Sequence, residues 1–476
     1  MKKAPVIHPF LIAILPVIAV YSYNTGIIPA IQLLYPLIAT IALAFIVLSA
    51  IRFMLKDWLL AGLMTSPLLL ILLTYGRFYE YMSSYLAVFS YHALIKVFIC
   101  YLVLIIYLTY CYLLILKSER VIRANINNFL NIVTVVLLVF NLGNMVYLHA
   151  HEPLVSVEQL KPVSSAAYKP DIYYIILDQY ASLAEMKDVL GYDNSAFAQR
   201  LEAKGFFVAR QSKTRFVTTD MSLASSLNLG NVKIQHDNAT SVDSALVVHL
   251  DKTDSDRDDY ANKMIHYNLA ARTLKQFGYK YINFGNWAIG TQYNKLADKN
   301  IKCFGFRPDN ELADILIWDS ILRLIFIPRQ FFRAALLYEF DGLSKVPQEE
   351  SPKFVFAHIL CPHLPYVFGS NGEEISFKDS RKTEEKALYT GQYIFVTKKV
   401  EQLVDDLLSK SKTPPVIIIQ SDHGSKLDLP YVHNVFNAIY LPKGGNKILT
   451  NTTAPHNIFR LIFNYYFGQS LPILPD

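Results

Sequence analysis

Four short stretches of this 476-residue chain put acids, imidazoles and hydroxyls where they could act together. Asp178 directly follows the apolar run Asp171–Leu177 (DIYYIIL), and Asp422 and His423 follow Pro415–Gln420 (PVIIIQ), after Ser421 and before Gly424. Carboxylate and imidazole are the usual ligands of a hard or borderline divalent cation. Gly424 would permit a tight turn that brings both side chains to one ion. Asp178 by itself would serve equally well as a helix cap. A third stretch, Thr218-Thr219-Asp220-Met221-Ser222, combines hydroxyls with the start of a helix. A hydroxyl there lies where backbone N–H groups stabilise an anion, and metal coordination would make it a nucleophile. The bland alternative is that Thr219 or Asp220 merely caps the helix. Histidines supply the fourth signal: His358 in KFVFAHIL, His363 in CPHLPY and His433 in PYVHN. Imidazoles at strand-end loops can balance a phosphate or sulfate charge and protonate a leaving oxygen.

These residues need a scaffold that brings strand ends together. Buried strands are expected at 171–177, 206–209, 279–284, 353–360, 415–420 and 438–441, with helices near 194–204, 261–277, 383–410 and 454–467. Alternating strands and helices predict an α/β fold with a mainly parallel central sheet flanked by helices, its ligands at the carboxyl ends of the strands. The acidic run Asp251–Asp259 lacks the central Gly and terminal Glu of an EF-hand loop and reads as a solvated insertion.

The first third differs in kind. Long apolar runs at about 7–23, 28–51, 58–76, 94–116 and 127–148 predict an N-terminal helical membrane domain of five spans over 1–150. A linker at 151–168 and an α/β domain at 169–476 follow. The net charge of +6 belongs to this region, which has nine basic and three acidic residues; the remainder is balanced. The surplus therefore reports orientation and gives no reason to expect a nucleic-acid partner. Lys2, Lys3, Arg52, Lys56, Lys117, Arg120 and Arg123 fall in the odd-numbered gaps, which puts the N-terminus in the cytoplasm and the α/β domain outside it. His92 and Lys96 read as an interfacial pair, and the tyrosines Tyr79, Tyr81, Tyr85, Tyr107, Tyr110 and Tyr112 as an aromatic belt. Cys100 and Cys111 fall in the fourth run, and Cys303 and Cys361 could form one disulfide.

The segments PDIYYIILDQY, TTDMSLASSLN, HILCPHLPY and IIIQSDHG, in this order, resemble the sulfatase-like branch of the alkaline phosphatase superfamily. With its multi-span anchor the chain looks like the membrane-bound phosphoethanolamine transferases and lipoteichoic acid synthases. The resemblance implies an alkaline-phosphatase-like fold and a bacterial plasma-membrane location. Asp178, Thr219, Asp422 and His423 would be metal ligands, with Thr219 as nucleophile and Ser222 three residues on. His363 and His433 would be substrate-phosphate or second-metal histidines, while His358 has no counterpart. It further implies a divalent cofactor (zinc, manganese, magnesium or calcium), a phospholipid or lipid-linked donor, and an envelope glycan or lipid acceptor. Three departures stand out. The Cys-x-Pro-Ser-Arg pattern of sulfatases is absent, the first acid is Asp where the transferases typically have Glu, and Gln179 stands where sulfatases usually have a second Asp. Together they favour phosphoryl over sulfuryl chemistry. A phosphodiesterase or sulfatase-type hydrolase on the same site, and a non-catalytic envelope protein, are the alternative readings.

Overall fold

The run IYYIIL has no polar alternation, as expected of a strand covered on both faces. In the computed structural model it forms β1 (Ile172–Leu177), every residue of it buried. The structure describes residues 5–25, 28, 30–86, 105–106, 108–110, 112–150, 168–232, 254–286, 288, 290–302, 310–323, 329–376 and 383–475. Two compact units emerge. One comprises Met1–Pro153 with Gly305–Pro328, the other Leu154–Phe304 with Arg329–Asp476. The chain thus returns to the first unit at 305–328, which a contiguous partition at residue 150 does not foresee.

The second unit is built on a seven-stranded sheet of order β2-β7-β6-β1-β5-β3-β4. The other strands are β2 (Phe207–Val208), β3 (Lys280–Gly285), β4 (Lys299–Lys302), β5 (Lys353–Ile359), β6 (Val416–Ser421) and β7 (Asn437–Tyr440). β1 pairs in parallel with β5 and β6, and β3 in parallel with β5 and β4. β7 runs antiparallel to β6 and to β2, so the sheet is mixed, with a parallel centre. One face packs on the helices Leu269–Gln276 and Ile458–Phe467, where Tyr174 meets Phe459 edge-on at 5.1 Å. At the amino end of the central strands a buried ion pair joins Lys353 Nζ to Asp171 Oδ2 at 2.6 Å, and Ser351 Oγ donates to the same oxygen.

Two sequence expectations need correction here. Residues Asp254–His266 form a helix rather than a loop. Its apolar positions Ala261, Met264 and Ile265 are buried in the core, and its acidic start suits the positive end of a helix dipole. The stretch near 261–277 is accordingly two helices, broken before Leu269 by the cap Asn268, whose Oδ1 accepts from Ala271 N.

Among the described residues of the first unit, three helices are long and apolar enough to cross a membrane: Ala30–Leu55, Trp58–Tyr79 and Arg120–Tyr147. His8–Tyr23 is apolar but has 16 residues. At 1.5 Å per residue that is about 24 Å, short of a ~30 Å hydrocarbon core. Most of the expected fourth span lies outside the described residues, so three such helices stand where five spans were expected. His92, Lys96, Cys100, Cys111, Cys303 and the linker up to residue 167 also lie outside them. Some polar groups within the unit pair with one another, which offsets the cost of removing them from water. His8 N donates to Asn131 Oδ1 at 2.9 Å, and Asn131 Nδ2 donates to Pro5 O at 2.8 Å. The returning segment carries the helix Glu311–Asp319. It is fixed by Asn310 Nδ2 donating to Gln32 O at 3.0 Å and by an Arg77–Asp319 pair at 2.6 Å.

Candidate metal centre and hydroxyl site

Register brings the acids together. Leu177 of β1 lies opposite Ser421 of β6, so the next residues, Asp178 and Asp422, leave the sheet side by side. Asp178, Asp422 and His423 are buried, and each offers a ligand atom within 4.8 Å of the others'. Asp422 Oδ1 accepts from the backbone amides of Gln179 and His423, both at 2.9 Å. Its Oδ2, like Oδ1 of Asp178, is buried without a hydrogen-bond partner.

The tautomer of His423 follows from its partner. Nδ1 lies 2.8 Å from Gly424 O, and a carbonyl only accepts, so Nδ1 carries the proton. Nε2 then points a lone pair at Thr219 Oγ1 and Asp422 Oδ2, each 3.3 Å away. Orphaned carboxylate oxygens and an imidazole lone pair converging on one point repel one another unless a cation lies between them. The donor set therefore fits a divalent ion of hard or borderline character.

The hydroxyl arrives on the helix Thr219–Leu227. Thr218 occupies the cap position and its side chain makes no capping bond, so neither Thr219 nor Asp220 is a cap. Ser222 explains the Thr-x-x-Ser spacing. Its Oγ donates to Asp422 O at 2.6 Å, tying the first turn of the helix to the β6 end. Beside Thr219 lies a cavity of about 300 Å3, lined in part by Asp220, Asn262, Thr291 and His358.

Several residues here carry roles that composition did not reveal. Gln179 has a left-handed backbone (φ 59), which costs a non-glycine residue roughly 1 kcal/mol. Tyr389 holds that turn, its hydroxyl donating to Gln179 O at 2.6 Å and accepting from Ala181 N at 2.9 Å. Gly424 is needed for space rather than for its φ. A Cβ there would stand 2.6 Å from Tyr431 O and 2.9 Å from Glu185 Oε2. Glu185 is itself buried and accepts from Ser425 N at 3.2 Å and from Ser425 Oγ. Burial pushes its pKa up to about 7, against the opposing pull of the Ser425 bonds. Its only trace in the sequence is an ordinary helix-start glutamate.

The three remaining histidines differ in placement. His358 is fully buried, with Nε2 3.4 Å from Asp178 Oδ2 and Nδ1 3.0 Å from Thr291 Oγ1, so it belongs with the acids. His363 is half-buried. Its amide donates to Asp178 O at 3.2 Å, and its Nδ1–H is satisfied by Leu364 O. Burial opposes the charge on Asp178, but the His358 hydrogen bond and the neighbouring imidazoles of His363, His358 and His423 outweigh it and hold the carboxyl below its usual range. His433 is exposed and stands one step out. Its Nδ1 donates to Thr214 O at 2.9 Å, and Thr214 Oγ1 lies 3.0 Å from Ser222 Oγ. Cys361 is buried, and burial raises its thiol pKa well above the usual value.

A mixed α/β sheet thus gathers two acids and an imidazole at its strand ends against a helix-start threonine. The chain resembles the sulfatase-like branch of the alkaline phosphatase superfamily, joined here to apolar membrane-length helices. No family model matches the chain, and no curated protein matches it. Among solved structures it is similar to the integral membrane lipooligosaccharide phosphoethanolamine transferase A (EptA) from Neisseria meningitidis, at 13% identity and TM-score 0.40 over 94% of each chain. It is similar to the C-terminal periplasmic domain of phosphoethanolamine transferase EptC from Campylobacter jejuni, at 11% identity and TM-score 0.39 over 63% of this chain and 90% of that one. The lipoteichoic acid synthase LtaP from Listeria monocytogenes gives 11% identity and TM-score 0.41 over 66% and 76%. Likenesses this distant carry no weight for activity, which has to be argued from the residues of this chain.

Proposed function

We propose that this chain is a membrane-anchored phosphotransferase, with its N-terminus in the cytoplasm and its α/β unit at the outer face of a bacterial plasma membrane. It would move a phosphoryl-linked headgroup from a phospholipid or lipid-linked donor to an envelope glycan or lipid. The observation that carries this reading is Thr219 Oγ1 standing 3.3 Å from His423 Nε2, at a helix start, beside the buried Asp178 and Asp422.

Asp178, Asp422 and His423 would hold a divalent cation, with the Thr219 hydroxyl as a further ligand. Such an ion lowers the pKa of a coordinated hydroxyl and offsets charge on a phosphoryl oxygen. Thr219 Oγ1 attacks phosphorus and loses its proton. The bond from phosphorus to the donor's alkoxide oxygen breaks, that oxygen takes up a proton, and the phosphoryl group stays on Thr219. An acceptor hydroxyl then attacks the phosphothreonine, loses its proton and frees the Thr219 oxygen. His433 and His363 suit the proton transfers. Each directs Nδ1 to a carbonyl, which leaves Nε2 with the lone pair.

Thr219→Ala should abolish turnover while leaving the melting temperature near that of wild type, and wild type incubated with labelled donor should yield a phosphorylated Thr219 peptide by mass spectrometry. Full activity in Thr219→Ala would defeat the mechanism. A hydrolase on the same site is separated by the fate of the label: transfer puts it on a glycan or lipid acceptor, hydrolysis on water-soluble product alone.

A further inference from the structure

We propose that Asp220 and Asn262 read the group that travels with phosphorus, and that this group is short and ends in N–H or O–H donors. The proposal deepens the transfer reaction above and rests on it.

The cavity of about 300 Å3 beside Thr219 lies wholly within the α/β unit. Ligand cavities run from about 300 to 1,000 Å3, so this one suits a small headgroup better than a glycan chain. Its place in the reaction follows from the direction of attack. In phosphoryl transfer the attacking and leaving oxygens stand roughly in line across phosphorus. With Thr219 Oγ1 attacking, the rest of the donor departs on the far side. The cavity is walled by Thr219 itself and by Asp220 and Leu223 of the same helix start, so it lies beside the nucleophile. Its occupant is the substituent that stays on phosphorus.

The polar wall residues are not equivalent. Thr291 Oγ1 donates to Asn286 Oδ1 at 3.0 Å and so accepts from His358 Nδ1 at 3.0 Å, which commits its proton. His358 Nε2 lies 3.4 Å from Asp178 Oδ2, among the metal-binding acids. Asp220 and Asn262 are left to meet the ligand. Asp220 Oδ2 is buried without a hydrogen-bond partner. Among the described residues, no Lys or Arg lines the cavity. The helix dipole favours an acid in the first turn but gives this oxygen no hydrogen bond. Nor does Asp220 belong to the metal group, whose ligand atoms come from Asp178, Asp422 and His423. A carboxylate oxygen withdrawn from water costs free energy until a donor meets it. An ionised carboxylate only accepts, so the end of the ligand must donate, and a second negative charge there is repelled. Gly290 makes room for Asn262. A Cβ at residue 290 would stand 2.2 Å from Asn262 Oδ1 and drive the amide aside.

An ammonium and a hydroxyl both satisfy this chemistry, and the test separates them. Binding of phosphoethanolamine, glycerol 3-phosphate and phosphoserine to the full chain in detergent, with manganese present, is measured by titration calorimetry against inorganic phosphate. The preferred ester should bind about tenfold more tightly than inorganic phosphate, and phosphoserine about tenfold more weakly than that ester. If the end group is an ammonium, phosphoethanolamine is preferred and Asp220→Asn weakens it about tenfold, because a charge-assisted bond is lost. If it is a hydroxyl, glycerol 3-phosphate is preferred and the same change costs about threefold. Asp220→Leu and Gly290→Ala should weaken the preferred ester in either case. Unchanged affinity for inorganic phosphate in these variants guards against a folding artefact. Wild-type ratios among the three esters in Asp220→Leu, or esters that bind no better than inorganic phosphate, would overturn the proposal. The transfer reaction is read separately from the phosphorylated Thr219 peptide. Its absence, with binding still dependent on Asp220, would sink the transfer and leave the subsite standing.

Discussion

Ser222 makes no contact with a reacting group, yet the geometry of the hydroxyl site hangs on it. Its Oγ joins Thr214 on one side and the Asp422 carbonyl on the other. Ser222→Ala strips a buried carbonyl of its donor, which costs about 1–3 kcal/mol. A fall in turnover with a smaller change in KM, together with a lower melting temperature in detergent, is the expected outcome. Glu185 makes a different prediction. Its folded pKa of about 7 lies above that of a free glutamate, so its protonated form is the one that folding favours. The associated stability is complete below the unfolded pKa near 4.5 and is lost as pH rises through 7. Glu185→Gln cannot lose it. The difference in unfolding free energy between variant and wild type, measured by chemical denaturation, should therefore grow between pH 4.5 and 7, to at most about 3 kcal/mol. A flat difference across that window would sink this account. Residue types in order disclosed Asp178, Thr219, Asp422 and His423, which the structure brings together. Glu185 and Gln179 stayed hidden because one acts through a neighbouring loop and the other through its own backbone.

At the scale of elements, the site is a matter of strand register. β1 lies between β5 and β6 with Ile176 opposite His358 and Leu177 opposite Ser421, so one residue of slip would send Asp178 to the wrong face. The Asp171–Lys353 pair clamps β1 to β5 at the far end. Asp171→Ala leaves a buried ammonium without its partner and should cost about 3–5 kcal/mol, whereas the double change Asp171→Leu with Lys353→Met should recover most of the loss. Chemical denaturation of the two variants beside wild type is the measurement. The strands read correctly from sequence were those with unbroken apolar runs. β4 (KNIK) was not legible, being short, polar and at an edge, and the antiparallel sense of β7 was not either, since nothing in four residues encodes direction. The acidic stretch before Tyr260 looked like a loop because its helical face is set by core contacts rather than by its own composition.

For the whole molecule, a cation bound to Asp178, Asp422 and His423 would stabilise the folded state in proportion to its saturation. At one hundred times Kd the gain is about 2.7 kcal/mol. Melting temperature should rise with added divalent ion, fall with chelator, and stop responding in Asp422→Asn. A wild-type protein indifferent to both would remove the metal from the proposal. The excess of basic residues near the spans, which at first suggests a polyanionic partner, is local to the first third; the α/β part is charge-balanced and would have to attract phosphate by such local means.

The return of residues 305–328 to the first unit has a practical consequence for anyone handling the protein in pieces. The units are joined by three lengths of chain, near residues 153, 304 and 328, so one proteolytic cut between the last span and the first strand cannot release a soluble half. A fragment beginning at residue 154 would carry the apolar helix Glu311–Asp319, Leu312, Leu316 and Ile317 included, without the rest of the first unit to bury it. A soluble version therefore has to be made by excising residues 305–328 and rejoining the chain through a polar linker, rather than by truncation.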